Sequence, residues 1–63
     1  MLALDDALSQ LELLDPQAAR IVELRYFAGL SIDETAAALG LHASSVYREW
    51  QHARVWLKHR LGA

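Results

Sequence analysis

The sequence predicts an all-α fold: four short helices, the last two forming a C-terminal helix-turn-helix, with no winged elements. Three observations carry this. Residues 31–61 read SIDETAAALGLHASSVYREWQHARVWLKHRL: a capped short helix, a glycine, and a longer helix with one apolar stripe. Asp15-Pro16 cuts the preceding residues into two further helices. No stretch alternates apolar and polar residues with the period of two that a half-buried strand requires.

The first helix is expected over residues 1–14. Leu4, Leu8, Leu11 and Leu14 share a face, with Asp6, Ser9, Gln10 and Glu12 on the other. Asp5 and Asp6 fall in or near the first turn, where carboxylates suit the positive end of the helix dipole. Proline disfavours helix at the residue before it, which frees Asp15 to cap a second helix with Pro16 at its first position. That helix is expected over residues 16–27. Ala19, Val22, Tyr26 and Phe27 form its apolar side, and Arg20, Glu23 and Arg25 are solvated. Ala28-Gly29 ends it.

Ser31 and Glu34 form S-x-x-E, the capping-box pattern that opens a helix. Ile32, Ala36 and Leu39 lie on one face of the helix that follows. Gly40 stands where the chain must leave it, in a left-handed conformation that glycine adopts without steric cost. The fourth helix is expected over about 43–61. Val46, Trp50, Ala53, Leu57 and Leu61 recur at spacings of three and four, an apolar stripe on one side. Small Ala36 allows a close crossing between the last two helices. Residues 61–63 read as a frayed end.

With 63 residues the chain is read as one domain, 1–63, whose core contributes only about 3–5 kcal/mol net. Apolar residues make up 54%, too many for a disordered segment. There is no cysteine, so neither a disulfide nor a thiolate metal site is available. No apolar run approaches the roughly 18 residues of a membrane span, and no signal peptide is visible. The expected setting is cytoplasmic, with no membrane partner.

The net charge of −2 conceals an asymmetry. Residues 1–41 hold two cations and seven carboxylates, a balance of −5; residues 42–63 hold four cations and one carboxylate, a balance of +3. His42, His52 and His59 all fall in the basic part. Cations late in the last helix complement its dipole, and the same distribution suits a polyanion. Protonation of the histidines adds charge there, so affinity for a polyanion is expected to depend on pH.

A helix-turn-helix works by placing its second helix in the major groove of DNA. The outward positions are His42, Ala43, Ser44, Ser45, Tyr47, Arg48, Gln51 and His52. Arg48 can pair bidentately with guanine and Gln51 with adenine. Tyr47 can meet a thymine methyl or a phosphate. Backbone N–H groups at Ser31 suit a phosphate, and Arg54 and Lys58 suit backbone contacts. Each of these side chains also fits an ordinary solvated helix surface.

Other chemistry finds little support. His52 and His59 lack a correctly spaced third ligand for a metal. Trp50 and Trp56 suit core and rim packing better than base stacking. Asp5-Asp6 and Asp33-Glu34 are adjacent on helices, where neighbours point apart, so no acid–base pair forms. Neither a cofactor nor enzymatic activity is expected.

Residues 14–61 resemble region four, the C-terminal domain, of bacterial sigma factors, of the extracytoplasmic-function (ECF) type. The marks are Leu14 to Gln17, the L-R-Y-F-x-G-L-S run from Leu24 to Ser31, Asp33-Glu34-Thr35-Ala36, and Leu39-Gly40. Ser45-Val46 and Ala53-Arg54 ahead of Leu57 complete them. The lead-in from Leu24 to Ser31 is more specific than the helix-turn-helix alone.

The resemblance implies recognition of the −35 element of double-stranded promoter DNA within RNA polymerase holoenzyme. Ala43, Ser44, Tyr47 and Arg48 match base-reading positions; His52, Arg54 and the start of the third helix match phosphate positions. The other face would hold the β flap of the polymerase core, and an anti-sigma factor is a further implied partner. His42 departs from the small polar residue usual before the last helix. Glu49, Gln51 and His52 replace residues often basic, which implies weaker intrinsic affinity for DNA. The family's region two is absent, so the chain is expected to be an excised domain. Two rival readings fit the residues: a dimeric helix-turn-helix regulator, and a protein-interaction module that no longer binds DNA.

Overall fold

A computed structural model describes residues 3–62 of the chain. Four helices follow in order: α1 (Leu4–Leu14), α2 (Pro16–Tyr26), α3 (Ile32–Leu39) and α4 (Ala43–Arg60). The expected start of the first helix at residues 1 and 2 lies outside the described residues, as does residue 63 of the expected frayed end.

Local chemistry sets each boundary. The Asp15 carboxylate accepts from the Ala18 N–H at 3.2 Å, and Pro16 occupies the first turn of α2, where its missing N–H has no partner to lose. Gly29, at φ +71°, carries the chain out of α2, and the Leu30 N–H closes back on the Leu24 carbonyl at 3.0 Å. The capping box at α3 is complete. Ser31 Oγ accepts from the Glu34 N–H at 3.0 Å, and the Glu34 carboxylate accepts from the Ser31 N–H at 2.8 Å. Gly40, at φ +68°, ends α3. The Leu41 N–H reaches the Ala36 carbonyl at 2.9 Å and the Gly40 N–H reaches that of Ala37 at 3.4 Å, the paired bonds of a Schellman motif.

The core is built from small residues at the crossings and larger ones between them. Ala7 and Leu11 come from α1, Ala18, Ala19, Ile21 and Val22 from α2, and Ala36 from α3. Val46, Trp50, Ala53 and Leu57 of α4 are all buried, as their spacing predicts, while Leu61 is half-buried. The Thr35 side chain is fully buried and satisfied, its hydroxyl donating to the Ser31 carbonyl at 2.7 Å. α4 packs mainly on α2 and α3 and more lightly on α1, while α2 also touches every other helix.

Several expected core positions differ. Leu14 is 68% exposed and Leu4 37%. Both stand at helix ends beyond the crossing, where they line grooves instead of filling the core; Ala7 holds the close approach between them. Tyr26 and Phe27 are mostly exposed, since α2 ends there, although the Tyr26 ring still meets Trp50 of α4. Arg25 is half-buried, less solvated than expected. Its guanidinium Nη1 donates to the Leu30 carbonyl at 2.6 Å, and the group lies 5.0 Å from the centre of the Trp50 ring.

The backbone N–H of Ser31, helped by its hydroxyl, holds the Glu34 carboxyl below the ordinary carboxylate range. A carboxylate lowered in the folded state stabilises fully above its unfolded pKa, and that contribution is lost as pH falls toward the folded value. Glu34→Gln keeps a capping side chain without the titration. The melting temperature of the wild type should therefore fall more steeply than that of E34Q between pH 6 and pH 3; parallel curves would show that the box does not contribute through its charge.

Candidate nucleic-acid interface

The face of α4 opposite its buried stripe is exposed and largely polar, with Val55 as an apolar position within it. Val46, Trp50, Ala53 and Leu57 turn inward, so Ser44, Tyr47, Arg48, His52, Arg54 and Lys58 turn outward. All six are exposed; Ala43 is half-buried at the first turn, beside the end of α3. Of the expected base-reading set, Ser44, Tyr47 and Arg48 thus stand together on an open surface, with Ala43 at its edge.

The expected phosphate set is more dispersed. His52 and Lys58 are exposed along the helix. Arg54 is drawn back: its guanidinium lies 5.8 Å from the Trp50 ring centre and donates to Gln51 Oε1 at 3.2 Å. Ser31 is exposed, but its own N–H is committed to Glu34. A phosphate at the start of α3 would therefore meet the N–H groups of Ile32 and Asp33 beside two carboxylates, a poorer anion site than the sequence pattern implies.

Gln51 is half-buried rather than standing free toward solvent. Its amide donates to the Tyr47 hydroxyl oxygen at 2.7 Å while its carbonyl accepts from Arg54. The sequence pattern suggests separate contacts for these three, Tyr47 and Gln51 with bases and Arg54 with the DNA backbone. Their spacing of four and three, which places side chains in one row on a helix, was the available signal. On the opposite edge, Glu49 accepts from the Gln17 side chain, which ties α4 to the first turn of α2.

The start of α4 is its weakest point. His42 has the extended backbone of an N-cap, φ −77° and ψ 143°, yet its side chain makes no capping bond. Only its carbonyl takes part, accepting from the Val46 N–H at 3.1 Å. The last turn is basic, with Lys58, His59 and Arg60, which complements the negative helix end. Among the described residues no cluster of three metal-ligating side chains occurs, and no helix is long and apolar enough to cross a membrane.

A model of the ECF sigma factor family matches residues 1–63, the whole of the sequence. The chain belongs to the ECF sigma factor family. Comparison with curated proteins and with solved structures gives no significant match. Four helices without a strand among the described residues agree with a region-four type of domain. Membership makes this a DNA-binding domain of a sigma factor that acts in transcription initiation, with RNA polymerase and promoter DNA as partners. The family is one of non-enzymatic transcription factors.

Because this sigma domain leaves the first N–H groups of α4 without a side-chain acceptor, His42→Ser should stabilise it by about 1 kcal/mol. Urea unfolding measures this directly. An unchanged midpoint would show that the N–H groups are already satisfied by water at no net cost.

Proposed function

We propose that residues 1–63 act as a single region-four domain, with the helix-turn-helix at 31–61, that recognises the −35 promoter element by inserting α4 into the major groove. The observation that supports this most is the exposed row of Ser44, Tyr47 and Arg48 opposite a fully buried stripe on the same helix. In this reading Ala43, Ser44, Tyr47 and Arg48 face base edges, and Arg48 is the residue best suited to guanine. Ser31, His52, Arg54 and Lys58 lie toward the phosphates, which fix register without reading sequence. The chain carries out this role in the cytoplasm, without a cofactor.

The remaining surface suits proteins. Leu13 and Leu14 at the end of α1 are 87% and 68% exposed, and Phe27 just past the end of α2 is 62% exposed. We assign these exposed apolar positions to docking on the β flap of RNA polymerase core. An anti-sigma factor competing for the same surface would separate the domain from polymerase without touching its DNA-reading side chains.

Selection from a pool of random duplexes at two salt concentrations tests the reading. The expected product is one non-palindromic element whose affinity falls as salt rises. A palindrome with half-sites about one helical turn apart would point to a dimeric regulator instead. No enrichment at low salt would overturn intrinsic DNA recognition and leave the protein-interaction reading. On the selected element, Arg48→Ala should weaken specific binding by about 1–3 kcal/mol and relax preference at one base pair. Unchanged preference removes Arg48 from the reading set.

A further inference from the structure

The row of Tyr47, Gln51 and Arg54 has a fixed hydrogen-bond direction. Arginine has donors only, so the side-chain atom of Gln51 that faces Arg54 must be its carbonyl oxygen. The amide nitrogen then faces Tyr47, and the tyrosine oxygen must accept from it. The Tyr47 O–H proton is thereby turned away from the helix. Arg54 is itself held from behind by the face of Trp50, with its guanidinium carbon 5.8 Å from the ring centre. A cation two turns along the helix thus sets the polarity of a hydroxyl that is 53% exposed near the start of α4.

We infer that Gln51 is a positioning residue that presents Tyr47 to DNA as an obligate hydrogen-bond donor, with Arg54 fixing the direction of the relay. This rests on the proposal that the free face of α4 reads duplex DNA. A tyrosine so held selects an acceptor: a phosphate oxygen, thymine O4, or guanine O6 or N7. It rejects the exocyclic amines of adenine and cytosine, which are donors. Gln51 therefore acts through Tyr47, and the bidentate adenine contact expected of a free glutamine is not its role.

Glutamine and glutamate are nearly the same shape, but a carboxylate only accepts. Gln51→Glu keeps the Arg54 contact and takes the Tyr47 proton for itself, reversing the hydroxyl. The test measures the effect of Tyr47→Phe on affinity for the duplex selected by the wild-type chain, in the wild-type and in the Q51E background at pH 7. The charge added by Q51E is present in both members of its pair and cancels from the comparison. Tyr47→Phe should weaken binding about 5- to 10-fold in the wild-type background, as expected for one lost hydrogen bond, and less than about twofold in Q51E. Equal losses in the two backgrounds would overturn the relay while leaving DNA recognition intact. A wild-type chain that binds no duplex would overturn DNA recognition and the relay together, so the two failures are distinguishable.

Discussion

The burial of Trp50 is the constraint on which the arrangement of this domain depends. The indole is 8% exposed, at the middle of α4. Tyr26 packs on it from the end of α2, ring centres 5.3 Å apart and tilted by 58°, and the guanidinium groups of Arg25 and Arg54 lie over its face. Truncating a buried aromatic removes about 3–5 kcal/mol. That is comparable to the whole net stability of a core this small. Once Trp50 is seated, Val46, Ala53 and Leu57 follow by helical geometry, and the rotation of α4 about its axis is fixed. The polar row through Ser44 and Arg48 is then exposed by necessity, because the helix has no other face to offer.

The two helices of the helix-turn-helix are anchored unequally. At α3 a reciprocal capping box, a buried threonine bonded to the Ser31 carbonyl and a glycine-closed Schellman turn satisfy both ends. At α4 the cap side chain is idle. The longer helix is held by its packing on all three neighbours instead. The proposed reading face thus starts from a turn without a side-chain cap on a helix held by packing, in keeping with the general placement of binding residues at the edges of a rigid scaffold.

Much of this was legible in the residues. S-x-x-E, Asp-Pro and the lone glycine at position 40 announce their boundaries through local chemistry, and each is found as expected. The stripe on α4 was legible because an 18-residue helix gives the periodicity room to repeat. Leu14, Tyr26 and Phe27 are mostly exposed because they sit at helix ends, where the pattern continues but the packing covers them only in part. Ala7 and Thr35 were missed for the opposite reason: their burial depends on which helix crosses them. Arg25 looked like surface because its carbonyl partner, Leu30, exists only once Gly29 has turned the chain. For the candidate interface the sequence located the exposed positions of α4. The capping box already implies that the Ser31 N–H is taken by Glu34, but spacing alone does not reveal that Gln51 links its neighbours.

The most direct test of the account is a nuclear magnetic resonance titration of the chain with a −35 duplex, following backbone and side-chain shifts residue by residue. The account predicts that the largest changes fall on Ser44, Tyr47, Arg48 and Gln51, with smaller ones at His52 and Lys58 and little change at Leu13, Leu14 or Phe27. Changes concentrated on α1 and the end of α2, with the outer face of α4 unmoved, would contradict it.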